Sequence, residues 1–523
     1  MKYQFKKEGE SKEVVNKPNA NYEHFVEKAE LDTSFPDDKE FVLLDKLKDL
    51  KEVFKNNKAE EYMACDTETS DLSPEEGEMV GYSFSYNAGT GYYVPLRHEV
   101  GENIRNEDGE ACVKEAIRLL VEDLKEKKKT FWFNVRFDFR FLEFEGFDMG
   151  DVDYLDVAIP TWFADTNIKM PSLKFGAKYF AGWDMQTFEE TLGDNQNFKF
   201  VDPVNAVEYA GADAIATFRL SQKTIKYYKE GKPASEIDNK VMYPLMKFED
   251  HGNPIDYKYL ESLLVEANKK IRKLKKEIHG MAGYDFNINS PKQLAEVLED
   301  LGLHTGEYTD TGYMKTGKSL IAELDHPISD KIIEYKELKK LVGTYIEQLA
   351  EQSRENEGKL RFAYKFFQAP TGRLASGGDK KNSYFAKMNF QSTPKASSEM
   401  WYVHEAEEKH SDDEDVIMGY RFSLEDKSDR VAEGFEKDMN IRRAFLPEDD
   451  DYYWVSIDFS SQELRIPTNL SKEPVWLEAF KSEEGDPHKA TAIKLYGEEN
   501  YNRDKRKKAK GLNFGQSVYN RLK

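Results

Sequence analysis

Apolar residues at helical spacing over 39–58 (KEFVLLDKLKDLKEVFKNNK) predict a helix, preceded by a polar stretch, 1–35, without periodicity. A strand is predicted at 61–66. Two Gly/Tyr-rich runs with strand-like alternation follow at 80–96. The pattern then reads helix at 112–128, short strand at 131–134 and helix at 136–145, and the mixed α/β texture continues to about 228. From 236 to 280 a long amphipathic helix pair is broken by HGNPID. Asn289-Ser290-Pro291 supplies a cap and first-turn proline for a helix over 290–301, and 328–354 predicts another long helix. Short strands and turns are expected from 360. Residues 395–439 are acidic and irregular, as an insertion would be. A strand is predicted at 453–458, with helices from 461.

Composition narrows the class. The 523 residues suffice for roughly three or four domains. An aromatic fraction of 13% supports a substantial core and argues against general disorder. Two cysteines, Cys65 and Cys112, give neither a disulfide framework nor a zinc cluster. The polar start MKYQFKKEGE and the lack of a long apolar run lead to the expectation of a cytoplasmic chain without a membrane partner. The net charge of −22 weighs against nucleic acid as a partner, but the charge is local. Acid concentrates at 405–415 and 448–451, whereas six of the eight residues at 503–510 (RDKRKKAK) are Lys or Arg.

The chemistry-bearing residues fall into two groups. The strand Tyr62-Met-Ala-Cys-Asp66-Thr-Glu68 ends in Asp-x-Glu, and side chains two apart on a strand share a face. Paired carboxylates there are costly unless a cation joins them, and an oxygen donor set suits Mg²⁺ or Mn²⁺. Asp-x-Glu alone also fits a solvated strand end. Two later segments add to it. Asn134-Val-Arg-Phe-Asp138 places an acid at the start of a helix. Tyr209-Ala-Gly-Ala-Asp213 puts a phenol and a carboxylate on one helical face.

Across about 36–228 these motifs, in this order, resemble the 3′–5′ exonuclease domain of proofreading DNA polymerases, of the tyrosine variety. The resemblance implies a ribonuclease H-like domain with two metal ions about 4 Å apart on the scissile phosphate. Asp66, Glu68, Asp138 and Asp213 would be the metal ligands, and Tyr209 would orient the attacking water.

In the second group, MYPLMKFEDHGNPID, FNINSPKQLAEVL and YKELKKLVGTYIEQL are amphipathic helices that ordinary core packing would explain. Thr371-Gly-Arg373-Leu374 precedes Asn389-Phe-Gln391. Trp454-Val-Ser-Ile-Asp458-Phe-Ser-Ser-Gln-Glu463 reads as a strand delivering an acid to its end. Asp486-Pro-His488 follows. Arg506, Lys510 and Phe514 then lie at i, i+4 and i+8 on one helix face. In this order the segments resemble family A (DNA polymerase I type) DNA polymerases: an α/β and α+β multidomain architecture in which the exonuclease domain precedes the thumb and part of the palm and fingers of a right-hand polymerase.

The boundaries implied are 1–35 extension, 36–228 exonuclease, 229–358 thumb, 359–500 partial palm with the insertion at 395–439, and 501–523 the start of the fingers. By the same resemblance Arg373, Asn389 and Gln391 contact primer-template DNA, Asp458 binds catalytic metals, and Glu463 excludes a ribose hydroxyl by its volume. His488, Arg506 and Lys510 face the dNTP, and Phe514 disfavours dideoxynucleotides. Expected cofactors are two Mg²⁺ or Mn²⁺ ions per active site.

The family pattern Gly-x-x-Tyr-Gly is not continued after Gly515, where Val518 takes the tyrosine's place. No motif C follows; His410-Ser-Asp-Asp-Glu414 precedes the Asp458 strand and cannot serve. The expectation is therefore a chain interrupted within motif B, by a split gene whose second chain carries motif C or by an intron or inserted element. The short extension suggests a bacteriophage source and the host cytoplasm. Such a chain alone is expected to degrade single-stranded 3′ ends without extending primers; measurable extension by the 523-residue chain would contradict this. The alternative is an exonuclease with a DNA-gripping, synthesis-inactive polymerase remnant. The 395–439 segment is equally a candidate processivity-factor contact or a solvated loop.

Overall fold

The structure, a computed structural model, describes residues 35–36, 38–167, 171–369, 371–378, 382–393, 441–449, 451–452, 461–482 and 485–514, together with the backbone of 401–410 and 417–426. The 1–34 extension, the predicted strand at 453–458 with Asp458, and 515–523 lie outside the described residues. The described chain divides into two units, 1–449 and 450–523.

The first unit opens with a six-stranded sheet in the order β1-β4-β3-β2-β5-β6. Its strands are β1 (Glu40–Leu43), β2 (Tyr62–Thr69), β3 (Met79–Ser85), β4 (Thr90–Pro95), β5 (Lys129–Trp132) and β6 (Tyr154–Asp156). β2, β3 and β4 form an antiparallel meander. β1 joins β4 in parallel, and β5 and β6 extend the other side in parallel. Helices α1 (Leu47–Asn56), α2 (Val113–Glu126), α3 (Val135–Phe144), α4 (Ala158–Ala164), α5 (Leu173–Ala181), α6 (Phe188–Leu192) and α7 (Pro203–Glu230) complete this part.

Within this sheet and its helices, the segment from residue 39 departs from the expectation. The helix predicted from residue 39 begins only at Leu47, because Phe41, Val42 and Leu43 pair with Gly91, Tyr92 and Tyr93 as an edge strand.

The core beneath the sheet is aromatic. Tyr82, Phe84, Phe131, Trp132 and Phe139 are fully buried, with Phe84 and Tyr92 stacked at 5.0 Å between centroids. α7 is buried without interruption from Tyr209 to Ser221, and glycine makes its close approach possible. A Cβ on Gly91 of β4 would lie 2.3 Å from the Gly211 carbonyl oxygen of α7. A Cβ on Gly176 of α5 would lie 2.7 Å from Leu220, so α5 presses equally close to α7.

Two long helices follow, α8 (Ala234–His251) and α9 (Tyr257–Ala282), then α10 (Pro291–Asp300), α11 (Pro327–Leu341) and α12 (Glu347–Glu355). They close over a second core that includes Leu260, Leu274, Ile332 and Leu349. The single helix expected over 328–354 is divided by a π-helical segment at Val342–Ile346. Two-stranded pairs follow at Tyr364–Lys365 with Ala375–Ser376, and at Trp401–His410 with Ile417–Asp426. The second pair is an antiparallel hairpin within the expected 395–439 insertion.

Buried ion pairs bind α3 to α8. Glu249 accepts hydrogen bonds from Arg136 at 2.6 Å, Arg140 at 2.8 Å and the Tyr364 amide at 2.6 Å, while Arg140 also meets Asp250 at 2.5 Å. In the second unit, helices at Gln462–Ser471, Pro474–Lys481, Pro487–Tyr496 and Arg503–Phe514 succeed one another.

Candidate active site

β2 delivers the first acids. Asp66 and Glu68 project on one face of the strand, and ligand oxygens of Asp66, Glu68 and Asp213 all come within 4.8 Å of one another. Asp213 reaches them from α7, whose seat on the sheet depends on the Gly91–Gly211 approach. Tyr209, one turn earlier on α7, is buried beside Phe188 and Phe198.

Asp138 is held differently. Its Oδ1 accepts the Thr67 amide at 3.0 Å and the Thr67 hydroxyl at 2.8 Å, so it lies beside the strand bearing the other two acids, outside the closest trio. The helix that carries it starts at Asn134, which has a positive φ of 70°. Asp156 caps that start by accepting the amides of Asn134 and Val135, both at 3.1 Å. Thr67 and Asp156 are functional neighbours that motif reasoning missed, because their contacts are long-range and nothing local in the sequence announces them.

The electrostatics match a site built for cations. Burial pushes the Asp66 carboxyl up, reinforced by repulsion from Asp138, Asp213 and Glu68. Burial and Asp213 do the same to Glu68. Asp138 is raised to about 8 by burial, against the two Thr67 hydrogen bonds that favour its charged form. Burial also raises Asp213, while Lys174 pulls it down, its Nζ lying 3.3 and 3.5 Å from the two carboxylate oxygens. Glu68 Oε1 is buried without a hydrogen-bond partner. An orphaned carboxylate oxygen facing two further acids is a donor set for a hard divalent cation, so these residues fit Mg²⁺ or Mn²⁺.

A buried histidine supports the start of α7. His98 Nδ1 lies 2.6 Å from the Val201 carbonyl and so carries the proton; Nε2, at 2.7 Å, accepts from the Tyr93 hydroxyl. Burial lowers its pKa from 6.5 to about 4. The unfolded chain therefore binds this proton first, and stability present above pH 6.5 is lost as pH falls through 4, by about 3 kcal/mol. Acid unfolding of His98→Gln is expected to lack that slope between pH 6.5 and 4; an unchanged slope would contradict the assignment.

The second group of expected residues is partly assembled. The Gln391 side chain donates to the Leu374 carbonyl at 3.2 Å, and Ser376 donates to Asn389 at 2.6 Å. The Thr371–Leu374 turn, with Gly372 at φ 74°, and the Asn389–Gln391 turn are thus adjacent despite the long interval between them, and Arg373 is exposed there.

In the second unit Asp486 caps the helix beginning at Pro487. It accepts the His488 and Lys489 amides and the Arg506 Nε at 2.6 Å. Asn513 lies 3.0 Å from His488 Nδ1. This arrangement joins His488 to the helix carrying Arg506 and exposed Lys510; the contacts of Asp486 with Arg506 and of Asn513 with His488 were not read from the sequence. Glu463 is exposed in the first turn of its helix. Asp458 and the Phe514 side chain lie outside the described residues.

Residues 41–226 match the 3′–5′ exonuclease family, and residues 257–520, just over half the chain, match DNA polymerase family A. The chain belongs to DNA polymerase family A. Its relatives include the DNA polymerase I of Borreliella burgdorferi, 27% identical over 477 residues covering 89% of this chain and 46% of that protein. Those of Synechocystis sp. and Pseudomonas aeruginosa are each 28% identical, with 89% and 87% of this chain covered and 43% and 46% of theirs. The chain thus spans about half the length of the curated relatives it matches. Among solved structures, the POL domain of Pol1 from M. smegmatis, in complex with DNA primer-template and dNTP, matches with a TM-score of 0.65 at 17% identity. The match covers 91% of this chain and 71% of that one. This likeness shows a shared mixed α/β fold, and the two family matches place an exonuclease domain before a polymerase domain along the chain. No helix among the described residues is long and apolar enough to cross a membrane.

Proposed function

We propose that this family A chain removes nucleotides from single-stranded DNA 3′ ends at the Asp66–Glu68–Asp213 cluster, as the proofreading partner of template-directed DNA synthesis. The observation that carries the nuclease half is the convergence of three carboxylates from β2 and α7 within 4.8 Å, with Glu68 Oε1 buried and unpartnered.

Asp66, Glu68 and Asp213 would hold two Mg²⁺ or Mn²⁺ ions, with Asp138 completing the set. When bound, the ions would lower the pKa of the attacking water and neutralise charge at the scissile phosphate and the leaving 3′ oxygen. Tyr209, fixed against Phe188 and Phe198, orients the water with its hydroxyl; its pKa is raised by burial and by Asp213, so it keeps its proton at neutral pH. Thr67 holds Asp138 in one rotamer.

For synthesis, we propose that Arg373, Asn389 and Gln391 meet primer-template DNA, that His488, Arg506 and Lys510 meet the dNTP triphosphate, and that Asp458 binds the metal ions. Glu463 would act as the sugar gate. The Arg506–Asp486 pair and the His488–Asn513 contact support the dNTP reading by fixing two of those side chains. The ligands of the M. smegmatis neighbour, DNA primer-template and dNTP, support the same reading.

Chelation tests the nuclease half. EDTA is expected to stop the shortening of a 5′-labelled single-stranded oligonucleotide, and added Mn²⁺ to restore it. Shortening that continues in EDTA would defeat the proposal.

A further inference from the structure

Lys174 is placed where a lysine has no local reason to be. It is the second residue of α5, a helix whose start is capped by Ser172 accepting the Phe175 amide at 3.1 Å. A cation in the first turn opposes the helix dipole. Its side chain nevertheless reaches in. Nζ lies 3.3 Å from Asp213 Oδ1, 3.5 Å from Oδ2 and 4.1 Å above the Tyr209 ring. The close seat of Gly176 on Leu220 fixes the helix from which it reaches. Lys174 therefore bridges the two α7 residues assigned above to ion binding and to water positioning.

We propose that Lys174 is a working cation of the nuclease site. It occupies Asp213 as a counter-charge when no divalent ion is bound, and it moves to the scissile phosphate of the DNA 3′ end when ions take that carboxylate. The inference rests on the nuclease reading and extends it. A lysine amine is a compact cation on a flexible stem, suited to exchanging one anionic partner for another. The phosphate is the anion that enters as the ions bind. Lys174 thus competes with the ions in the resting site and assists them once substrate is present.

These two roles give opposite signs on removal, which a merely structural lysine would not. Without DNA, Lys174→Met is expected to bind Mn²⁺ about tenfold more tightly by calorimetry, because a cation beside Asp213 has gone. At saturating Mn²⁺ the same variant is expected to hydrolyse a single-stranded oligonucleotide at least about tenfold more slowly in single turnover. Lys174→Arg, which keeps the charge, is expected to stay close to the unmodified chain in Mn²⁺ affinity and to recover much of the rate. Unchanged or weaker Mn²⁺ binding by Lys174→Met overturns the counter-charge role, and an undiminished rate overturns the phosphate role. If the unmodified chain shows no Asp66-dependent hydrolysis, the nuclease reading itself fails, a result distinct from either of these.

Discussion

Asp66→Ala is expected to abolish shortening of single-stranded 3′ ends, slowing it about a thousandfold, or roughly 4 kcal/mol of transition-state stabilisation. Asp66 shares its strand face with Glu68 and converges with Asp213, so its loss removes a ligand that neither neighbour can replace. The same substitution is expected to leave thermal unfolding of the metal-free chain unchanged or raise it. Burial and three nearby acids already oppose the Asp66 charge, and alanine relieves that opposition. Activity and stability moving apart is the signature of a site assembled for function at some cost to the fold. A variant that loses activity together with its melting transition would make Asp66 a structural acid, and unchanged hydrolysis would remove it from the site.

The second large effect concerns stability. Glu249→Ala is expected to cost about 3 kcal/mol, because it takes the carboxylate partner of the half-buried Arg136 and one of the two held by the buried Arg140. The Glu249 side chain is 2% exposed and Arg140 is 7% exposed. Glu249 also receives Arg136 and the Tyr364 amide, so three elements lose one shared anchor. Arg140 keeps Asp250, which limits the loss. Glu249→Gln retains an acceptor and is expected to lose less. Thermal unfolding of the full chain checks both; a Glu249→Ala variant that melts with the unmodified chain would contradict the assignment. Because α3 also carries Asp138, loosening this anchor is expected to slow the nuclease as well.

Much of the site was legible in the sequence because its residues sit at short, regular spacings on single elements. Asp66 and Glu68 are two apart on a strand, and Tyr209 and Asp213 are four apart on a helix. The geometry of those elements alone places each pair on one face. Asp138 was legible as an acid at a helix start, but its separate hold by Thr67 was not. Lys174, Thr67 and Asp156 meet the candidate site through contacts between distant segments, for which local patterning carries no signal.

The fold shows the same division. Strands and helices with clean periodicity were readable, whereas the run Phe41-Val-Leu-Leu44 satisfies helical and strand patterns alike. Pairing with β4 decides in favour of a strand. The π segment at Val342–Ile346 was likewise invisible, because a one-residue change in hydrogen-bond register leaves the apolar pattern intact.

The central claim is that the carboxylate cluster on β2 and α7 is a 3′–5′ exonuclease site. The most direct measurement is the product pattern from one single-stranded oligonucleotide labelled in turn at each end, incubated with the chain and Mg²⁺. The account predicts a ladder of successively shorter species from the 5′ label and release of labelled mononucleotide from the 3′ label. Internal fragments at early times, mononucleotide released first from the 5′ label, or an intact oligonucleotide would contradict it.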